Sequence, residues 1–411
     1  MYQALRGTYD LLPTEAKRLR SFLNRSIEIL EKAGFRELET PILEEARLFD
    51  RSIGKESDII SKEMYTFSDR KNRLLALRPE GTVSIVRAYL EHNFSYSNPA
   101  ARFYYFGPMF RYDRPQKERY RQFLQLGVEV FASGQACTDA EVIFILSEIM
   151  NAAEIGPFTI KINSLGCRIC QENYGKTLAE FLEKRKKELC EDCRNRLQKN
   201  PLRTLDCKAA GCKDILREAP VISNSLCSDC RQHFKMVLKY MDGINISYCV
   251  AGNLVRGLDY YTRTVWEVTP DNGENALAAG GRYDNLVADL GGPQTAALGF
   301  AIGLERILGL MPSLSEQRSG IRLIYLDAVS LEKSFGLMIS LRKSLTVPVT
   351  LSAEEKSLKA QLRLADKDNC EIALIIGPDE MERGEVIVRD LDSGTQKSVQ
   401  ETDLIERLKR C

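Results

Sequence analysis

The chain has 411 residues, 44% hydrophobic and 28% charged, with 58 basic against 57 acidic side chains and a net charge of +1. That length calls for a large catalytic-sized unit and at least one smaller one, and the charge balance excludes a histone-like polycation, so any nucleic-acid contact must rest on local basic patches. No apolar run is long enough to span a bilayer and "MYQALRGTYDLLPTEAKRLR" is no signal peptide, so no membrane and a cytoplasmic location are expected, where the 12 cysteines are better read as metal ligands than as disulfides.

In chain order, "EAKRLRSFLNRSIEILEKAG" repeats apolar residues at helical spacing and stops at Gly34, which predicts an amphipathic helix with a glycine cap. "FRELETPILEEARLF" alternates and holds Pro41, which suits a strand edge. From Phe103 to Phe131, aromatic and β-branched residues on both arms of a charged loop predict a strand pair. Residues 167 to 230 carry eight cysteines and many charges, and read as an insertion reaching to about 245. After it "INISYCVAG" and "RTVWEVT" read as strands, and "LGFAIGLERILGLM" as an apolar helix opening after a glycine. The stretch 312 to 320 is polar and linker-like, and beyond it "IRLIYLDAV", "VPVTL", "IALIIG" and "EVIVRDL" alternate with helical stretches such as "SLKAQLRLADK", as in a separate small α/β domain.

The chemistry is carried by arginine. The one near-match to a phosphate-binding loop, "GKT" at Gly175, has Cys170 where a glycine is required, and His92 and His233 are the chain's two histidines, too few for histidine-based catalysis. Arg111, Arg114, Arg119, Arg121, Arg256 and Arg306 sit at well-structured places, and guanidinium groups form paired hydrogen bonds to phosphate oxygens. Any one of them read alone is a surface ion-pair residue; converging from separate strands, they suit a nucleoside triphosphate.

The motifs together resemble the histidyl-tRNA synthetase family of class II aminoacyl-tRNA synthetases over nearly the full length. They are "GTYDLLP", "GFRELETPIL", "RPEGT" at 78 to 82, "FRYDRPQKERYRQFLQLGVE", "LVRGLDYYTRT", "GGRYDNLVADLGG" and "LGFAIGLERIL", in the family's order. Glu118 stands where the family often has glycine. The resemblance implies an α+β fold: an antiparallel class II sheet with flanking helices over residues 1–318, interrupted by the cysteine-rich insertion, then an α/β anticodon-binding domain over 319–411. It implies a histidine–tRNA ligase that uses ATP with Mg²⁺ to form histidyl-adenylate and then charges tRNA(His). It also implies a homodimer built on the first motif around Pro41, and an anticodon contact that would include Lys356, Lys359, Arg363 and Lys367.

By the same resemblance Arg256 and Arg111 are the catalytic charges at the α-phosphate, and Arg119 and Arg306 meet the γ-phosphate and the adenine. Glu80, Gly81 and Thr82 resemble binders of the amino end of L-histidine, Gln125 and Glu129 line its pocket, and Tyr260 and Tyr261 close over the imidazole. Two alternatives stand beside this reading: a regulatory paralogue without an anticodon-binding domain, and a class II synthetase for another amino acid.

The cysteines are read on their own spacing. Cys167 and Cys170, Cys190 and Cys193, and Cys227 and Cys230 are C-x-x-C knuckles, and Cys207 and Cys212 are slightly wider apart; eight thiols suit two Cys₄ sites for structural Zn²⁺. Redox chemistry and an iron–sulfur cluster are the alternatives. A helix between the first two pairs would part them by roughly 25 Å. If "FTIKIN" and "INISYCV" are parallel neighbours, the helices leaving the first and last pairs start together. Cys167 and Cys170 are therefore expected with Cys227 and Cys230, and Cys190 and Cys193 with Cys207 and Cys212, as structural sites apart from adenylate chemistry.

Overall fold

A computed structural model describes residues 2–53, 57, 59–113, 119–271, 273, 275–313, 318–352 and 356–409. The chain divides into two units, Met1–Pro312 and Ser313–Cys411, parting inside the polar stretch 312 to 320. Arg114 and Glu118 lie outside the described residues.

The strands of the first unit are β1 (Arg36–Glu37), β2 (Leu43–Glu45), β3 (Thr66–Ser68), β4 (Leu74–Leu77), β5 (Arg102–Phe110), β6 (Gln122–Phe131), β7 (Phe158–Ser164), β8 (Cys249–Val250), β9 (Thr262–Pro270), β10 (Ala278–Arg282) and β11 (Ala297–Gly303). Eight of them form one sheet in the order β1-β5-β6-β11-β10-β9-β7-β8, while β2-β4-β3 form a small separate sheet. All neighbours in the large sheet are antiparallel except the edge pairs β1 with β5 and β7 with β8. The aromatic and apolar arms around Phe103 and Phe131 form its longest ladder, in register from Arg102 opposite Val130 to Phe110 opposite Gln122.

Alternation along β6 divides the sheet's two faces. Leu124, Leu126, Val128 and Val130 turn to a core covered by the helices Pro13–Lys32, Ala136–Ala152 and Ser228–Gly243. Phe123, Gln125, Gly127 and Glu129 turn the other way by the same two-residue period. The helix ending at Lys32 stops before Gly34, whose φ of 81° favours glycine.

Three sequence expectations change. "FRELETPILEEARLF" is not one strand: Pro41 separates β1 from β2, and the chain turns helical at Ala46–Ser52. "LGFAIGLERILGLM" is not one helix, because Ala297–Gly303 is a strand and only Leu304–Leu310 is helical. A central strand packed on both faces is apolar throughout and so lacks the alternation that would reveal it. "INISYCVAG" supplies only the two residues of β8.

The second unit carries β12 (Ile321–Tyr325), β13 (Val349–Leu351), β14 (Ile372–Ile376), β15 (Glu385–Asp390) and β16 (Gln396–Gln400), in the order β13-β12-β14-β15-β16. The unforeseen β16 is a polar edge strand with Val399 as its one buried residue. Helices Ala328–Ser344, Leu358–Lys367, Pro378–Arg383 and Glu401–Leu408 complete the described part of the unit.

One buried ion pair ties the first unit's helical layer to its sheet. Asp139, in the first turn of the helix Ala136–Ala152, accepts hydrogen bonds from Arg282 Nε at 2.9 Å and Nη2 at 2.6 Å, and both side chains are wholly buried. His233, on the helix Ser228–Gly243, lies 3.2 Å from the same carboxylate. Burial by itself would raise the Asp139 carboxyl, but the His233 hydrogen bond and the Arg282 charge outweigh it and hold the group below its usual range. A depressed carboxyl contributes stability that is present above its unfolded pKa and lost as pH falls through the folded one. Asp139→Asn is expected to cost about 3 kcal/mol at pH 7, because the buried Arg282 charge keeps Asp284, at 3.2 Å, as its one remaining carboxylate among the described residues. It should also remove part of the parent's acid destabilisation below about pH 4; urea melts at both pH values measure this, and equal losses at both would contradict the assignment.

Candidate active site

Two buried carboxylates stand at the cavity, Glu80 at its surface and Glu129 behind it. In "RPEGT", Arg78 is buried and donates to Thr40 O at 2.9 Å and Pro108 O at 3.0 Å, which fixes the turn against β5. The next acid, Glu80, accepts the amides of Thr82 and Val83, each at 2.8 Å, at the start of the helix Thr82–Glu91. Free N–H groups at a helix start are a natural partner for an acid. Glu129 accepts the Thr82 hydroxyl at 2.7 Å and a short hydrogen bond from the Tyr283 hydroxyl. Burial pushes the Glu80 carboxyl up, opposed by its amide bonds, and pushes Glu129 well above the usual carboxylate range, opposed by Tyr283 and Thr82.

Glycines make the room. A Cβ at Gly299 would stand 2.0 Å from Glu129 Oε2, and one at Gly127 would stand 2.3 Å from the Tyr105 hydroxyl. Both positions therefore admit only glycine while those side chains stay in place.

Tyr260 and Tyr261, from the turn before β9, stand side by side with ring centroids 4.7 Å apart, and Tyr260 meets the ring of Tyr283 edge-on at 5.7 Å. Burial pushes all three phenols upward, so each is a neutral hydrogen-bonding group at pH 7. Gln171 Nε2 donates to the Tyr261 carbonyl at 2.9 Å. Gln125 Oε1 is buried and has no hydrogen-bond partner among the described residues.

These groups open onto a cavity of about 740 Å³. Glu80, Thr82, Gln125, Tyr260 and Tyr261 line it together with Arg111, Arg119, Arg256 and Arg306, among other charged residues of both signs such as Arg203 and Glu305. Each arginine is aimed by a neighbour. Arg111 Nε donates to Pro79 O at 2.8 Å while its guanidinium lies over Phe123 at 5.3 Å. Arg119 pairs with Asp113 at 3.1 Å and Arg256 with Glu267 at 2.9 Å, and Arg306 donates to the Ala276 carbonyl. A guanidinium has five N–H donors, so one carboxylate partner leaves donors for a phosphate.

Two residues stand differently from expectation. Glu129 is fully buried beneath Thr82 and Tyr283 and is not part of the cavity lining. Gly81 precedes the helix as its cap and presses on Tyr105, where a Cβ would sit 2.2 Å from the ring. Tyr283, Tyr105 and Glu267 were missed. Tyr283 lies inside "GGRYDNL", next to residues already singled out, and Glu267 is the lone acid of "RTVWEVT".

The eight cysteines form two groups, Cys167 with Cys170, Cys227 and Cys230, and Cys190 with Cys193, Cys207 and Cys212, which are the groupings the parallel-strand argument gives. In each, the four sulfurs lie within 4.8 Å of one another, so each group could hold a metal ion. Backbone amides donate to sulfur in both: Cys227 N to Cys170 Sγ at 3.1 Å, and Cys190 N to Cys212 Sγ at 3.2 Å. Such bonds favour the thiolate form that binds metal.

An antiparallel sheet that carries its cavity on one face and helices on the other, followed by a small α/β unit, is the architecture of a class II aminoacyl-tRNA synthetase. Residues 7–307 match the family model described as histidyl-tRNA synthetase and residues 333–410 the one described as anticodon binding domain. The chain is 44% identical to the histidine–tRNA ligase of Thermodesulfovibrio yellowstonii, across 100% of this chain and 98% of that one. It is also 44% identical to the Aquifex aeolicus ligase, across 98% and 99%. The crystal structure of apo S. aureus histidyl-tRNA synthetase, 31% identical, superposes with a TM-score of 0.83 over 100% of both chains. The chain belongs to the histidyl-tRNA synthetase family and carries its activity, joining L-histidine to tRNA(His) with ATP. The match over 333–410 is to the domain whose absence would have marked the regulatory alternative. No described helix is long and apolar enough to cross a membrane.

Tyr283→Phe removes one of the two hydroxyl donors to the buried Glu129. An unpaired buried acceptor costs about 1–3 kcal/mol, so the melting temperature should fall. The KM for histidine should rise about tenfold in pyrophosphate exchange; a parental KM would show that Tyr283 only packs.

Proposed function

We propose that histidine lies over the Glu80–Glu129 floor and ATP over the arginines, with the carboxylate of the amino acid directed at the α-phosphorus. What carries this reading is that one cavity holds both sets of groups, Glu80 with the buried Glu129 behind Thr82, and four guanidiniums. Glu80 and Thr82 would take the ammonium end, with Gly81 shaping the turn. Gln125 would take the imidazole from the cavity wall. Glu129 would act from below, by holding the Thr82 and Tyr283 hydroxyls in fixed directions. Tyr260 and Tyr261 would cover the ring.

Attack on phosphorus gathers negative charge in the transition state, and fixed positive charge there lowers the barrier. Arg256 and Arg111 fit that role, while Arg119 and Arg306 fit the γ-phosphate and the adenine. The aiming contacts from Glu267, Pro79 and Asp113 support it, because they hold the charges before substrate arrives. Magnesium would enter with ATP, bound chiefly by phosphate oxygens and water.

We further propose that each cysteine group binds structural Zn²⁺ through four thiolates, supported by four converging sulfurs and amide-to-sulfur bonds. The remaining readings are a homodimer in the cytoplasm, a catalytic domain over residues 1–318 and an anticodon-reading domain over 319–411, supported by the anticodon-binding match.

Arg256→Ala is expected to lower kcat for histidine-dependent ATP–pyrophosphate exchange about 10²–10³-fold with a smaller change in KM; an unchanged rate would contradict the assignment. Deleting residues 320–411 should leave exchange largely intact while depressing tRNA charging, and parallel losses in both would argue against the domain reading. Sedimentation at micromolar concentration should give a dimer, and elemental analysis two zinc ions per chain.

A further inference from the structure

The two cysteine groups do not stand alike with respect to the cavity. Cys190 and Cys207 belong to the same cavity lining as Arg256 and Arg306, whereas none of Cys167, Cys170, Cys227 and Cys230 is among the described lining residues. Between Cys190 and Cys207 the chain runs through the helix Glu191–Lys199 and the tight turn Pro201–Asp206. The two sulfurs lie 3.8 Å apart across 17 positions of sequence, so the segment is a loop closed at its own ends.

That loop grips the turn that carries Arg256. Arg203 Nη2 meets Asp259 Oδ2 at 2.7 Å and Arg203 Nε donates to Asp259 Oδ1 at 3.0 Å, while Asn200 Nδ2 donates to the same oxygen at 3.3 Å. The Arg203 side chain is only 11% exposed, so its Nε hydrogen bond and the close Nη2–Oδ2 charge contact to Asp259 are shielded from water. Asp259 lies three residues after Arg256 and directly before Tyr260 and Tyr261. The other end of this turn is held from the sheet, where Asn163 Nδ2 on β7 donates to Gly252 O at 3.2 Å and Leu254 O at 3.0 Å. The strand fixes where the turn begins, and the cysteine loop fixes where it ends.

We propose that the Cys190 group is a wall of the active site, in which bound metal closes the loop that lets Arg203 and Asn200 hold Asp259, and so sets the position of Arg256. This rests on the roles proposed above for Arg256 and for the thiolates, and it departs from the expectation that both groups stand apart from adenylate chemistry. The reason is entropic. Closing the loop through a shared ion removes most of its conformations, so Arg203 meets Asp259 without a further ordering cost. With the ion gone the loop regains that freedom and the guanidinium is no longer held over the turn. Arg203 also lines the cavity, and in this proposal it acts through Asp259 on Arg256, as a positioning residue.

The test is a double-mutant cycle read by histidine-dependent ATP–pyrophosphate exchange, with metal content measured in parallel. Arg203→Ala is expected to keep two ions per chain and to lower kcat about tenfold while KM for histidine moves less than about threefold, with Arg203→Lys recovering part of the loss. Cys207→Ser should lose one ion and lower kcat similarly, and the double variant should be no worse than Cys207→Ser alone, because both act on one contact. Should Cys207→Ser not fold, Asp259→Asn takes its place in the cycle with the same non-additive outcome expected. Arg217→Ala, which breaks an exposed pair with Asp214 on the same insertion, serves as the neutral control. Exchange within twofold of the parent for Arg203→Ala, or effects that simply multiply in the double variant, would overturn the proposal. Failure of the underlying reading is separately visible, since it would leave Arg256→Ala at the parental rate.

Discussion

Two carboxylates buried beside one another constrain everything around them. A carboxylate taken out of water costs several kcal/mol unless donors replace its hydration, and two of them so close add mutual repulsion. Thr82 serves both, its amide donating to Glu80 and its hydroxyl to Glu129. For this the helix Thr82–Glu91 must begin at that residue, Arg78 must pin the preceding turn, and Tyr283 must bring a second hydroxyl from beyond β10. Gly127 and Gly299 follow as a packing consequence, because side chains there would occupy the space of Tyr105 and of Glu129 itself. The floor is thus a single object assembled from four separate stretches of chain.

The same cavity carries guanidiniums, each turned by its own neighbour: Arg111 by Pro79 and Phe123, Arg256 by Glu267, Arg119 by Asp113. On the proposed reading the division matches the charges of the two substrates. An ammonium and an imidazole N–H need acceptors, and a triphosphate needs donors. Preorganisation matters at both ends, since a long cationic side chain left to wander would have to be ordered during the reaction.

The insertion follows a different logic. Its apolar residues Tyr174, Leu178, Leu182, Ile215 and Leu216 join one cluster with Tyr260, Tyr261 and the sheet residue Val265, and its cysteines gather in two groups. One sulfur group sits just after β7, with Cys227 and Cys230 at the start of the helix Ser228–Gly243 that leads back to β8. The other has Cys190 and Cys207 in the cavity lining, and the chain between them pairs through Arg203 with Asp259, in the turn between Leu254 and Tyr261.

What the sequence by itself determined is whatever physical chemistry keeps local. Knuckle spacing in the cysteine pairs, the amphipathic period of Pro13–Lys32 and the aromatic arms of β5 and β6 are properties of short stretches. Even the grouping of the cysteines was legible, because it needed only helix lengths and the direction of two strands. The run from Leu298 to Leu308 was misread because a strand buried on both faces shows no alternation, so composition alone does not distinguish it from a buried helix. Only the tertiary structure decided that Glu129 lies beneath the cavity rather than in its wall, that Tyr283 holds it there, and that Arg203 grips Asp259. Those partners are 154 and 56 positions apart, and a contact across such a separation leaves no mark on the residues flanking either partner. It exists because folding brings two surfaces together, and its energy depends on burial and direction that no local pattern records.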